Sequence, residues 1–217
     1  MEFENLLYSI EDEVATIVLH RPEAMNALSQ ELLNELGDLL DVIAKDENVK
    51  AVVLTGSERA FAAGADITGL LQPSTIQSLN MAKNFHRVFD KLEELPKPVI
   101  AAVSGLALGG GCELALTCDI RIAAEGAKFG LPEINLGIIP GSGGTQRLPR
   151  VIGAARAKEM IFTGEILEAG AAVQWGLVNR VVPKDKLLLE AKNLALKLAG
   201  KPQIALAAAK RAINTGL

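Results

Sequence analysis

Glu113 follows three glycines in the segment LGGGCELALTCD (108–119). An apolar run before the glycines and a helical pattern after them imply a strand, a tight loop and a helix start. Backbone N–H groups face outward at such a point, and the helix N-terminus adds partial positive charge. An oxygen that gains negative charge during a reaction would be held there. The same glycines also suit a tight turn with close helix packing. A carboxylate in a first helical turn is favoured by the helix dipole alone. Glu133, in LPEINLG (131–137), reads by itself as a solvated loop charge. Asp66, in AAGADI (62–67), reads as an Asx-type turn. Each signal is weak alone; their order along the chain is the specific feature.

Other chemistries fit less well. No glycine is followed by the Lys-Ser/Thr pair of a phosphate loop. The dinucleotide fingerprint fails because Gly109 and Gly111 lead to Leu114 where a small residue is required. Ser104 and Ser142 each lack the first glycine of a nucleophile elbow at the required spacing. Two histidines, His20 and His86, and two cysteines, Cys112 and Cys118, give no metal-ligand spacing, so no metal is expected. His86 falls in an amphipathic helix as a solvated or half-packed side chain. The cysteines read as small buried apolar groups, and two of them make no disulfide framework.

The elements that position these residues alternate. Strands are expected near 5–10 and at 14–19, 49–55, 98–103, 119–124 and 177–182. Ser29 caps a helix with apolar residues Leu32, Leu33, Leu36, Leu39, Leu40 and Ile43 on one face. A second helix carries Phe85, Val88, Phe89, Leu92 and Leu95 and stops at Pro96 and Pro98. Residues 56–73, and the segment that contains Glu133, are expected as loops. Helical patterns follow at 145–163, 168–175, 184–199 and 203–214. This alternation predicts an α/β fold with a parallel sheet. The 217 residues, 49% hydrophobic and 22% charged, suit one globular unit with a sizeable core. A net charge of −4 argues against nucleic acid as a partner. No apolar run reaches membrane-spanning length and the acidic start lacks a leader pattern, so a cytoplasmic protein is expected.

Taken together, RPEAMNAL (21–28), FAAGADI (61–67), the block from Lys97 to Arg150 and the WGLVNRVVP stretch ending at Pro183 resemble the enoyl-CoA hydratase/isomerase family, the crotonase superfamily. The resemblance is colinear over essentially the whole chain. It implies a spiral of ββα units over residues 1–200, and the start of a helical trimerisation region at 201–217. Family members continue through further helices, so the resemblance leads us to expect a truncated C-terminal region here. It implies an acyl-CoA substrate, with coenzyme A entering as part of the substrate and no separate cofactor. It also implies a homotrimer or a dimer of trimers. By this resemblance the N–H groups of Ala65 and Gly110 hold the thioester oxygen. Glu113 activates water, Glu133 protonates C2, and the Gly141 backbone helps place the water. Ala24, Ala63, Asp66 and Ile67 match the loops that hold CoA. Glu23 and Thr68 stand where hydratases often carry lysine, which leaves Arg59 and Arg21 as basic candidates and implies weaker or more salt-sensitive CoA binding. Retention of both glutamates favours reversible hydration of a 2-enoyl-CoA, in fatty-acid or related acyl-CoA metabolism. Double-bond isomerisation and a non-catalytic acyl-CoA-binding subunit are the alternatives.

Overall fold

The computed structural model describes residues 3–66 and 75–216. The chain opens with a hairpin of β1 (Leu6–Glu11) and β2 (Val14–Leu19), followed by helix α1 (Gln30–Lys45). Ser29 caps α1, its hydroxyl accepting the Leu32 N–H at 3.2 Å, and the leucine face foreseen for this helix is buried. Three turns of one spiral come next. In each, a strand of one sheet leads to a strand of a second sheet and then to a helix. They are β3 (Ala51–Thr55), β4 (Ala60–Ala62) and α2 (Thr75–Glu94); β5 (Val99–Val103), β6 (Leu106–Leu108) and α3 (Gly110–Thr117); β7 (Ile120–Ala124), β8 (Lys128–Gly130) and, past a 3-10 turn at Pro132–Leu136, α4 (Gly144–Ile152). The rest is α5 (Ala154–Thr163), β9 (Ile166–Glu168), α6 (Ala169–Gln174), β10 (Arg180–Val182), α7 (Leu187–Ala199) and α8 (Gln203–Gly216).

The first sheet has the order β1-β2-β3-β5-β7-β10 and is parallel from β2 onward. Its inner strands are buried on both faces, which explains their unbroken apolar runs. Val52, Leu54, Val99, Ala101 and Val103 enter the large core under α1 and α2. Ala51, Val53, Ile100 and Ala102 point the other way, against Leu187, Ala191 and Ala195 of α7.

The second sheet, β4-β6-β8-β9, is where the structure departs from the sequence reading. Its strands have three residues each; β4 and β8 fall in segments expected as loops, and β9 ends at the start of the stretch 168–175 expected as helix. Three residues carry too little alternation to announce a strand. The helical pattern at 145–163 is also two helices, broken at Gly153 with φ of +84°. Among the described residues no helix is long and apolar enough to cross a membrane.

Candidate active site

Strands β4, β6 and β8 are parallel neighbours, so the segments that follow them leave at one edge of the sheet. Gly64–Asp66 follows β4, Gly109 and Gly110 follow β6, and Glu133 lies just past β8. For that reason Gly64 and Glu133, far apart in the chain, both come within 4 Å of where a Cβ on Gly109 would stand.

Ala65 forms an isolated parallel bridge with Leu28. Leu28 N–H donates to the Gly64 carbonyl at 2.8 Å, and Asp66 N–H donates to the Leu28 carbonyl at 3.0 Å. This pairing turns the N–H of the middle residue, Ala65, to the opposite side. There it meets the start of α3: a methyl group on Gly110 would stand 3.4 Å from the Ala65 nitrogen. Gly110 is the first residue of α3, so its N–H has no acceptor inside the helix. Two N–H groups thus border one small space. Phe85 and Leu28 wall it, 3.5 and 3.6 Å from the same notional methyl.

The turn that delivers Gly110 depends on its neighbours. Gly109 has φ of +50°, the left-handed region in which glycine pays no steric cost. A Cβ on Gly111 would fall 2.0 Å from the Ala62 carbonyl oxygen, so α3 seats against β4 only because that residue has no side chain.

Glu113, on the first turn of α3, is 1% exposed. Its Oε1 accepts two backbone N–H groups, from Ser142 at 2.8 Å and Gly144 at 2.7 Å. Gly144 opens α4, which has no side-chain cap, so its N–H is an orphan donor; Ser142 lies just before the cap residue Gly143. A methyl on Gly144 would lie 2.9 Å from that oxygen, so glycine leaves room for the contact. Burial pushes the Glu113 carboxyl above the ordinary carboxylate range; the two N–H groups and the Arg147 charge pull the other way.

Glu133 differs. Its Oε1 faces Gly109, 3.2 Å from where a methyl would be, and its Oε2 is buried with no hydrogen-bond partner among the described residues. Burial first, and then the negative charge of Glu113, push its carboxyl up to about 7. Hydrogen-bond donors favour the ionised form of a carboxyl, and burial without them favours the neutral form; Glu133 has its own backbone N–H as the one opposing donor. Both carboxyls are thus raised by burial, but only the Glu113 carboxyl is opposed by two backbone N–H donors and a nearby guanidinium.

The loops around the site are tied together. Asn26 Nδ2 donates to the Ala60 carbonyl at 2.8 Å, and Ala63 N–H donates to the Met25 carbonyl at 3.1 Å. Arg21 Nη1 reaches both the Ala27 carbonyl at 2.6 Å and Asp66 Oδ2 at 2.9 Å. Ala24, Ala63 and Asp66 are thereby brought together. Gly141 is exposed, one residue before Ser142. Arg59 is exposed at the start of β4, the opposite end from Ala65 and Asp66, so the structure does not bring it to this edge. Ile67 and Thr68 lie outside the described residues. His20 and His86 are both exposed, and both cysteines are buried and unpaired.

Sequence reasoning missed the grip of Ser142 and Gly144 on Glu113. The signal was GSGGT before a helix with no Ser, Thr, Asp or Asn at its cap, which leaves N–H groups in need of an acceptor. It also saw Arg21 only as a candidate for CoA, whereas Arg21 clamps two loops.

Comparison with known proteins identifies the family. Residues 9–217 match the family model for enoyl-CoA hydratase/isomerase. The chain is 46% identical to a short-chain-enoyl-CoA hydratase of Clostridium acetobutylicum, over 100% of this chain and 84% of the relative. It is 44% identical to a crotonyl-CoA hydratase of Syntrophomonas wolfei, with the same coverage. The crystal structure of an enoyl-CoA hydratase from Bacillus anthracis superposes with a TM-score of 0.95 at 45% identity, covering 98% of this chain and 83% of that one. With its spiral of paired strands and its two-carboxyl edge, the chain belongs to the enoyl-CoA hydratase/isomerase family.

Proposed function

We infer that the protein is an enoyl-CoA hydratase, a hydro-lyase that adds water reversibly across the 2,3 double bond of a 2-enoyl-CoA to give a 3-hydroxyacyl-CoA. The observation that carries this reading is the meeting of the Ala65 N–H and the first N–H of α3 with two carboxyls, one holding two N–H groups of a neighbouring loop and the other keeping a buried oxygen without a partner. In the reaction we propose, the thioester oxygen sits between the Ala65 and Gly110 N–H groups. Ionised Glu113 takes a proton from water as the water oxygen bonds to C3. The double-bond electrons move toward the thioester oxygen as an enolate. Neutral Glu133 then gives its proton to C2. One water is consumed, and the proton gained by Glu113 balances the one lost by Glu133. Each N–H donor at such an oxyanion contributes roughly 3–4 kcal/mol to the transition state. Protons and water suffice, so no separate cofactor enters, and coenzyme A arrives as part of the substrate.

The Ala24, Ala63 and Asp66 loops hold the CoA portion in this proposal, and Gly141 borders the water. Glu23 is exposed there, 3.9 Å from Arg21. A homotrimer or dimer of trimers is part of the same reading. Helix α8 buries none of its residues and leaves Ile204 90% and Ile213 61% exposed, apolar surface of the kind a neighbouring subunit covers. The two unpaired thiols suit a cytoplasmic setting.

Loss of the conjugated enoyl absorbance of crotonyl-CoA tests the function. The expected result is turnover by the parent and a fall of about 10²–10⁴-fold in kcat for both Glu113→Gln and Glu133→Gln. A folded parent without turnover overturns hydration. Turnover that survives both substitutions overturns the roles given to the glutamates.

A further inference from the structure

We propose that Arg147 is a positioning residue for Glu113, fixing from behind the backbone loop that grips the carboxylate. This inference rests on the reading of Glu113 given above.

Arg147 sits one turn into α4, with its side chain 12% exposed. Its guanidinium spends its donors in two directions. Nε and Nη2 reach Glu93 Oε2 at 3.0 and 2.6 Å, and Nη2 also reaches Asp90 Oδ1 at 3.0 Å, both on α2. Nη1 donates at 2.9 Å to the carbonyl of Ser142, the residue whose N–H holds Glu113. The planar group lies directly over Gly143, where a Cβ would fall 2.1 Å from Nη1. Loop 142–144 is therefore a single layer between an anion and a cation. Its N–H groups face the Glu113 carboxylate, and the Ser142 carbonyl faces the Arg147 guanidinium.

Two acidic side chains one turn apart on α2 hold the far side of that guanidinium, so its orientation is fixed by three acceptors. Arginine suits this role because its donors form a rigid fork; a lysine supplies the charge without the fork. The Gly143 carbonyl is held by the Gln146 and Arg147 N–H groups of α4, at 2.9 and 2.8 Å; without the fork, the Ser142 peptide loses its guanidinium partner and keeps the carboxylate it is meant to hold. A carboxylate that drifts by a fraction of an ångström loses alignment with its water, and misplacement on the order of 1 Å can cost about 100-fold in rate.

The groups that face Glu113 electrostatically are Glu133 past β8, Arg147 on α4, and Cys112 on α3, whose thiol is pushed up to about 12 and stays neutral. Asp90 and Glu93 oppose Arg147 from behind. His86 and Arg150 line the same groove. Removing the Arg147 charge therefore raises the Glu113 midpoint.

The test compares the parent with Arg147→Gln, Arg147→Lys and Glu93→Gln. It reads kcat and KM for crotonyl-CoA, and follows the Glu113 carboxyl by ¹³C NMR against pH. Arg147→Gln is expected to lower kcat about 10- to 100-fold with KM within about twofold of the parent. The Glu113 midpoint is expected to rise by about half a pH unit or more. Arg147→Lys is expected to keep the midpoint near the parent's while kcat stays about 3- to 10-fold low. A folded Arg147→Gln with parental kcat and an unmoved midpoint overturns the proposal. So does a variant that loses only thermal stability. If Arg147→Gln does not fold, Glu93→Gln carries the test: a kcat lowered about threefold at constant KM supports it, and parental kinetics overturn it. A parent that does not hydrate crotonyl-CoA counts against the proposed function. The NMR titration then still decides whether Arg147 governs Glu113.

Discussion

In the six-stranded sheet, β3 and β5 send alternate side chains into two cores, one under α1 and α2 and the other under α7. Beyond the backbone ladder, these strands are held by apolar side chains that fill both cores. The four-stranded sheet is assembled differently. Strands β4, β6 and β8 have three residues each, and α3 lies on β4 only because Gly111 adds nothing between them. At its edge, Gly109, Gly110 and Gly144 leave the gaps into which N–H groups and carboxyls fit. One region is stabilised by filling space and the other works by leaving space empty. Stability and activity should therefore respond to different substitutions.

The largest expected effect on folding belongs to the filled region. Leu36 of α1 is fully buried. Leu36→Ala is expected to cost about 2–5 kcal/mol in denaturant unfolding, while kcat for crotonyl-CoA stays within about twofold, because the glycine edge is untouched. A tenfold fall in kcat would dissolve the distinction between the regions.

Gly111→Ala tests the other side. Its methyl meets backbone rather than a flexible side chain, so α3 must move off β4. The expected cost is about 1–3 kcal/mol, smaller than for Leu36→Ala, yet kcat should fall more than tenfold as the Gly110 N–H leaves the Ala65 N–H. Parental kcat in a folded Gly111→Ala protein would show that the close approach does not set the oxyanion site.

The smallest effect concerns stability against pH. The folded protein holds the Glu133 carboxyl up to about 7, above its unfolded value. Between the ordinary carboxylate range and pH 7 the folded state therefore binds more protons than the unfolded state, and stability falls as pH rises. Glu133→Gln removes that loss. Its Tm should exceed the parent's by a few degrees at pH 8, with the gap closing by pH 5. A gap that does not change with pH would mean that Glu133 is not held neutral.

Legibility followed the same division. The Leu32–Ile43 face of α1 and the runs 14–19, 51–55 and 99–103 could be read because period and apolar content recur over five or more residues. Strands β4, β8 and β9 of the second sheet could not, since their pairing is set by neighbours far along the chain. Glu113 and Glu133 were visible as residues, through the order of the motifs around them. Their difference was not: one accepts two N–H groups and the other keeps an oxygen without a partner. Arg59 seemed well placed by its nearness to FAAGAD, yet the run of β4 carries it to the far end of the strand.

By itself the sequence determined the alternating α/β pattern, the capped leucine helix and which glutamates and glycines could do chemistry, because those features depend on local spacing and residue type. Only the tertiary structure decided that the Ala65 N–H meets the start of α3, which carboxyl is gripped and which keeps an oxygen without a partner, and that Arg147 backs the loop on Glu113. Each of those is a meeting of segments tens of residues apart, fixed by parallel strands that end at a common edge.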